Sequence, residues 1–339
     1  MASTMERVAA LAAVSVATVS RVLNTPQQVA PATQERVRQA MRQLGYQYNA
    51  VAGSLSRQRT MTLGLIVPTM SNPIFAESSR GVQQTAAGRG YSLLMGITDY
   101  RADEEARLVE TFRQHRVDGL IVTSSHPESP ALIEAQTTGT PVVLTYSARL
   151  RSALPCVGVD NAAAAAAAVG HLVRLGHHRI AMLAGPFTAS DRSYARYQGY
   201  VSALAAHGIE ADPQLLEEVP YTINDGIAGA HRLLNLSEPP TAIFCANDIL
   251  AFGTLRTAFD RGIAVPQQLS IVGFDDSPMA AITHPRLTTV AQPAYAMGVE
   301  ACNLLCTLID GNTPERTTMI LPTTLQIRET TAAPPELSA

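Results

Sequence analysis

Two groups of side chains in this sequence have the types and spacing to do chemistry. The first is the run Ser15-Val16-Ala17-Thr18-Val19-Ser20-Arg21. Wound as a helix, it places Val19, Val22 and Leu23 at i, i+3, i+4 on one face. Val16, Ala17, Thr18 and Arg21 then point the other way. Small residues let a helix reach base edges in the ~12 Å major groove, and arginine pairs bidentately with guanine. Hydroxyls and helix N-terminal amides suit phosphate oxygens; the ordinary alternative for each hydroxyl is a cap or a solvated face. The second group is scattered along the chain, each member just past an apolar run: Asn72 with Phe75, Thr123-Ser124, Tyr146, Asp160, Asp191 to Arg196, Asn247-Asp248 and Asp275-Asp276. Amides and carboxylates that pair with hydroxyls, one arginine and aromatic faces suit a polyhydroxylated ligand. The structural alternatives are helix caps for Asn72 and Asp248 and a turn for Asp276.

The elements that must position these groups can be read from the same rows. Ser3 and Glu6 have capping-box spacing before a first helix. Ser15 caps a second, which Asn24-Thr25-Pro26 stops, and Pro31 opens a third that Gly45 closes. Two short helices with a tight connection form a helix-turn-helix. From Leu63 onward, apolar runs alternate with amphipathic helices, the pattern of parallel sheets covered on both faces. Corresponding runs fall 117 to 128 residues apart (63 to 180, 120 to 242, 142 to 270), which indicates two similar Rossmann-like lobes. Ligands of such sheets bind outside the carboxyl ends of the strands, where the second group stands.

Charge separates the two regions. All 25 basic residues are arginine; seven of them lie in residues 1–60 against Glu6 and Glu35, a net +5, which leaves −8 for the rest of a chain whose total is −3. A basic head suits a polyanion and an acidic body does not. Among 339 residues, 46% of them apolar, no apolar run approaches the ~18 residues of a membrane span. The N-terminus lacks a basic region leading into an apolar stretch, so a cytoplasmic protein with no membrane partner is expected. The four cysteines form neither a CxxC pair nor a disulfide framework; Cys302 and Cys306 read as core thiols, and no metal site is expected. Gly88-Arg89-Gly90 precedes a strand instead of following one, and no other nucleotide or hydrolase motif occurs, so neither a cofactor nor an enzyme is expected.

The run Val14-Ser15-Val16-Ala17-Thr18-Val19-Ser20-Arg21-Val22-Leu23-Asn24 resembles the DNA-binding signature of the lactose-repressor (LacI/GalR) family of bacterial regulators. Leu44-Gly45-Tyr46, Asn49, Ser71-Asn72-Pro73, Ala246-Asn247-Asp248, Val272-Gly273-Phe274-Asp275-Asp276 and Leu287-Thr288-Thr289-Val290 continue the resemblance in order. It implies an α/β fold: an N-terminal helix-turn-helix headpiece plus a two-lobed, periplasmic-binding-protein-like core of parallel sheets. Val16, Ala17 and Arg21 would read bases, and Ser15, Thr18 and Ser20 would hold phosphates. Asn49 matches a family landmark at the start of a hinge helix over 49–57, in which Leu55 would wedge between base pairs. Asn72, Phe75, Asp160, Arg196, Tyr221, Asn247 and Asp275 would contact the effector. The expected divisions are 1–48 for the headpiece, 49–61 for the hinge and linker, 62–159 with 290–318 for the first lobe, 160–289 with 319–330 for the second, and 331–339 for a tail.

Departures from the family pattern carry expectations of their own. Ala13 stands where the family usually has a turn glycine, so backbone strain is expected there. Ala30 replaces the usual hydroxyl cap of the third helix, and Gly53 weakens the hinge helix. A hinge disordered off DNA and salt-sensitive operator binding follow. Thr145-Tyr146 replaces an acidic residue, and Arg192 and Arg196 lie at i, i+4 near a helix start, which ranks a sugar acid or sugar phosphate ahead of a neutral sugar. The sequence reads as a ligand-responsive repressor of carbohydrate or sugar-acid genes, a homodimer on palindromic double-stranded operator DNA. A soluble sugar-binding protein without a DNA role is the alternative reading, and a Rossmann-class enzyme a more distant one.

Overall fold

The computed structural model describes residues 5–24, 26–46, 59–124, 126, 128–147 and 153–335, in two compact units, residues 1–60 and 61–339. The proposed cap residue Ser3, and Asn49, Gly53 and Leu55 of the expected hinge, lie outside the described residues. In the first unit, α1 (Met5–Leu11), α2 (Val16–Asn24) and α3 (Pro31–Leu44) close on a small core of Val8, Ala9, Ala12, Val19, Val22, Val37 and Ala40. The periodicity of the sequence is thus realised, with Val19 and Val22 inward and Leu23, Met41 and Leu44 packed at the margin. Ala13 has φ 53°. It follows α1, where the Val14 N–H reaches back to the Ala9 carbonyl at 3.0 Å, a helix-ending geometry that favours glycine. Gly45 ends α3 in the same region, at φ 58°.

The second unit runs β1 (Thr62–Val67), α4 (Pro73–Gly88), β2 (Ser92–Ile97), α5 (Ala102–Gln114), β3 (Gly119–Val122), α6 (Pro130–Thr137), β4 (Val142–Tyr146) and β5 (Cys156–Gly158). It continues with α7 (Asn161–Arg174), β6 (Ile180–Ala184), α8 (Asp191–Ala206), β7 (Leu216–Glu218), α9 (Ile223–Leu234), β8 (Ala242–Cys245), α10 (Asp248–Asp260) and β9 (Ser270–Asp275). Last come β10 (Thr288–Ala291), α11 (Ala294–Ile309), β11 (Thr318–Ile320) and β12 (Thr324–Gln326).

The strands form two sheets of one plan, β11-β5-β4-β3-β1-β2 and β12-β10-β9-β8-β6-β7. All pairs are parallel except β12 with β10. Strands β3, β4, β8 and β9 are buried along their whole length, which is why they read as unbroken apolar runs. The edge strand β2 leaves Met95 and Ile97 partly exposed. The alanine run 162–168 lets α7 lie close on α8: a Cβ on Gly199 would sit 2.1 Å from the Ala162 carbonyl oxygen.

Three expected boundaries move. Strand Thr288–Ala291 pairs with β9 and belongs to the second lobe, so the chain crosses to the first lobe at residues 292–293 and not at 290. Strand Thr318–Ile320 pairs with β5 in the first sheet, so the return crossing follows it. The tail begins later than 331, because the Ala332 carbonyl accepts from the His177 ring at 2.9 Å and Thr331 Oγ1 meets the His171 ring at 3.1 Å. Among the described residues no helix is long and apolar enough to cross a membrane. The four cysteines are buried and none of them is in a disulfide.

Candidate nucleic-acid interface and ligand cleft

The headpiece face is built by α2 and the turn before it. Ser15 Oγ accepts the Thr18 N–H at 3.1 Å and lies 2.9 Å from Thr18 Oγ1. The Ser15 hydroxyl therefore caps the helix and is braced by that of Thr18, and what the two offer a phosphate is their remaining hydrogen-bonding capacity. Val16 is 42% exposed. Ala17 and Arg21 are exposed, and Thr18 and Ser20 are half-buried. One amphipathic helix thus fixes its apolar side in the core and turns the other to solvent. On α3, Arg42 pairs with Glu35 at 2.6 Å. Ala30 caps nothing with its side chain; Gln34 Nε2 instead ties the helix start to the Val29 carbonyl at 2.9 Å.

The second group converges between the two sheets. Asn72, Phe75, Arg196, Tyr221, Asn247 and Asp275 line one cavity, together with Ile74, Tyr100, Tyr146, Ser190 and Arg192. Asp160 is not among them: it is exposed, and its carboxylate caps α7 by accepting the Ala163 N–H at 2.9 Å. Its neighbour Asn161 does reach the site, accepting from Arg196 Nε at 2.9 Å. The helix cap expected of Asp248 is made by Asn247, which accepts the Leu250 N–H at 2.9 Å. Asp248 is buried instead between Thr289 Oγ1 at 2.6 Å and the Ser277 N–H at 2.7 Å.

Charge is concentrated and desolvated here. Asp275 accepts from Asn72 Nδ2 at 2.9 Å across the cleft and from Gln292 Nε2 at 2.7 Å. Arg196 donates to the Ala246 carbonyl and stacks its guanidinium 3.6 Å from the Phe274 ring centre, a cation–π contact. Burial lowers the Arg196 pKa and raises that of Asp275, each against the pull of the other. Desolvation therefore outweighs their attraction. Asp248 is pushed up to about 8 by burial and then by repulsion from Asp275. Arg192 Nη1 donates to the Ser124 carbonyl at 2.7 Å, and the neighbouring Asp191 accepts from Ser147 Oγ at 2.8 Å. Both guanidiniums thus have donors committed to protein acceptors, which weakens the sequence argument for an anionic ligand.

Aromatic rings complete the walls. Phe75 meets Tyr146 edge-on at 5.2 Å, and Tyr146 anchors its hydroxyl on the Ile74 carbonyl at 2.8 Å. Tyr221 lies against Gly185, where a Cβ would stand 1.9 Å from the ring. The free volume between these side chains is about 20 Å³, room for one water and far below the ~300–1,000 Å³ of small-molecule sites. A larger recess of about 980 Å³, lined by residues such as His126, Glu134, Phe187 and Tyr194, holds none of the expected effector residues.

Tyr100 lines the smaller cavity, and Asn161 and Gln292 bond its lining residues Arg196 and Asp275, yet none of the three was expected from the sequence, for one reason. Each follows a strand whose end was misplaced or unseen. The run Ser92–Met95 continues to Ile97, Thr288–Ala291 belongs to the second lobe, and the three-residue β5 has too short an apolar run to register.

The profile described as bacterial regulatory proteins, lacI family, matches residues 4–49, and that of a periplasmic binding protein-like domain matches residues 169–331. The chain is 38% identical over 334 residues to the HTH-type transcriptional repressor CytR of Escherichia coli (strain K12), covering 98% of both proteins. The solved transcriptional regulator CelR–cellobiose complex is 34% identical at a TM-score of 0.72, covering 97% of this chain and 99% of that one. The lac repressor dimer bound to operator and the anti-inducer ONPF is 28% identical at a TM-score of 0.88, covering 98% and 100%. These proteins are regulators and not enzymes, as the sequence reading expected. With headpiece and core both matched nearly end to end, the chain belongs to the lacI family of bacterial regulatory proteins.

Proposed function

We infer that the protein is a cytoplasmic, ligand-responsive repressor that binds a palindromic operator as a homodimer through Val16, Ala17 and Arg21 on α2. Ser15, Thr18 and Ser20 contact phosphates, Asn49 and Leu55 belong to the hinge, and the effector is a sugar, sugar acid or sugar phosphate held by Asn72, Phe75, Arg196, Tyr221, Asn247 and Asp275. The observation that carries the reading is the convergence of those six side chains from both lobes on one cavity, in a chain whose α2 leaves Val16, Ala17 and Arg21 exposed. The lobes touch through side chains that a ligand would displace, Asn72 with Asp275 and Arg192 with the Ser124 carbonyl. Ligand and operator then act on one equilibrium by favouring different lobe arrangements.

The test is fluorescence anisotropy on the duplex upstream of the gene and on a scrambled duplex of equal length, across a salt series. We expect tighter binding to the first, with log affinity falling linearly in log salt. Arg21→Ala should remove about 1–3 kcal/mol of the preference while leaving binding to the scrambled duplex. Equal affinity for both duplexes in the wild type would refute the reading.

A further inference from the structure

Tyr100 stands on the turn leaving β2, and it is joined to the opposite lobe. Its ring stacks on Tyr221, centroids 4.8 Å apart and planes inclined by 29°. Asp99 and Tyr100 have φ of 47° and 61°, two consecutive side-chain-bearing residues in a region such residues rarely adopt. Backbone of that kind persists only where the surroundings hold it, and here the turn delivers the ring onto its partner. Both rings line the central space of about 20 Å³ and both are half-buried, so the pair covers the cleft at its edge. Desolvation holds the Tyr100 phenol well above its usual range.

We propose that Tyr100 is a tethered occupant of the cleft: stacked on Tyr221 it latches the two lobes together, and a ligand binds by laying its own ring on Tyr221 in place of Tyr100. The inference rests on the effector reading of the cleft but adds a residue that sets which ligands enter. Anything larger than a water must offer Tyr221 a better face than a side chain already attached. The polar contacts across the cleft, Asn72 with Asp275, Ser147 with Asp191 and Arg192 with the Ser124 carbonyl, can exchange with water or ligand hydroxyls. The stacked pair has no such substitute in solvent.

The test is amide hydrogen exchange on the full-length protein without effector. The reporters are the first turns of α4 and α8, where the Ile74 N–H bonds Asn72 Oδ1 at 3.1 Å and the Ser193 N–H bonds the Ser190 carbonyl at 3.1 Å. Tyr100→Ala and Tyr221→Ala should each raise exchange there about tenfold or more, while Tyr100→Phe, which keeps the stack, should match the wild type. Millimolar p-cresol, the free side chain, should restore protection to Tyr100→Ala and not to Tyr221→Ala. Wild-type exchange in Tyr100→Ala overturns the latch. Raised exchange that p-cresol leaves unchanged overturns the occupancy, since the turn and not the ring would then hold the lobes. These outcomes are read without effector or DNA, so they can fail while the regulator reading stands, and the anisotropy test can fail while the latch stands.

Discussion

The headpiece and the cleft recognise their partners by opposite designs. On α2 the side chains proposed to read bases are exposed, and the core that fixes them, Val19 and Val22, lies on the other face of the same helix. In the cleft, Arg196, Asn247 and Asp275 are 3–6% exposed and bonded to one another's neighbours. A surface that meets a rigid external partner can keep structure and recognition on separate faces. A site that encloses its ligand cannot, and its side chains hold the lobes together when they hold nothing else. Function and stability should therefore be separable in the headpiece and inseparable in the cleft.

The largest effect tests that contrast directly. Arg196→Ala removes the larger of the two cationic influences on buried Asp275, leaving that of Arg192, and strips the Asn161 and Ala246 acceptors of their donor. Stranding buried acceptors this way costs about 1–3 kcal/mol each, readable in urea denaturation. Arg21→Ala, at an exposed position, should shift stability by no more than about 0.5 kcal/mol while it removes duplex preference. Equal stability losses at the two sites would break the comparison.

A second consequence is a pH dependence confined to the body. Asp248 has its pKa raised from 3.8 to about 8, so between those values the folded state binds more protons than the unfolded. Stability then falls as pH rises through that range, and Asp275, also raised, acts in the same direction. His171 and His177 oppose this at lower pH, because burial lowers them from 6.5 and their contribution is lost as pH falls. The clean window is pH 6.5 to 8. There the slope from Asp248 should reach up to about 1.4 kcal/mol per pH unit, and Asp248→Asn should flatten it. The Thr289 hydroxyl can turn to accept from the new amide while the Ser277 N–H keeps an oxygen. An unchanged slope in Asp248→Asn would place the titration elsewhere.

The same contrast explains what the sequence made legible. Headpiece residues are fixed by short-range periodicity, so Val19, Val22 and Gly45 could be assigned from their neighbours alone, while the strain at Ala13 followed from the family resemblance. The cleft residues are fixed by where strands end, and that depends on pairing with distant chain. Six of seven expected effector residues reach the cavity. Asn72, Phe75, Arg196, Asn247 and Asp275 stand at or beyond the ends of apolar strands, while Tyr221 follows the short polar β7 and was expected from the family resemblance. Asp160 failed because its carboxylate had a local use, the first turn of α7, as Asp248 and Asn247 exchanged theirs. Tyr100 and Gln292 were illegible because the extent of β2 and the lobe of β10 are decided by pairing with Thr62–Val67 and Ser270–Asp275, which lie outside their own local sequence.

Ala13→Gly sharpens the headpiece half. The residue sits at φ 53°, where a side chain costs roughly 1–2 kcal/mol; glycine removes that cost but adds about 0.5–1 kcal/mol of unfolded-state entropy. The net gain should be about 0.5–1 kcal/mol, seen as slower amide exchange at Val8 and Val19 with exchange in the body unchanged. A loss of protection would mean that Ala13 packs more than it strains, although its side chain is exposed.

The smallest effect lies at the start of α3. Ala30 precedes Pro31 with φ −55° and ψ 138° and makes no side-chain cap, while the Thr33 N–H already bonds the Ala30 carbonyl at 2.9 Å. A serine hydroxyl at position 30 would reach the first-turn amides, as Ser15 does on α2. Replacing alanine by a capping residue gives about 0.5–2 kcal/mol in general. Here the Gln34 amide already secures the helix start through Val29, so Ala30→Ser should add only about 0.5 kcal/mol, measured as exchange at Val37. In Gln34→Ala the same substitution should add more, about 1 kcal/mol, because the two anchors do one job. Equal gains in the two backgrounds would show that Gln34 is no substitute cap, and that the headpiece tolerates a bare helix start on core packing alone.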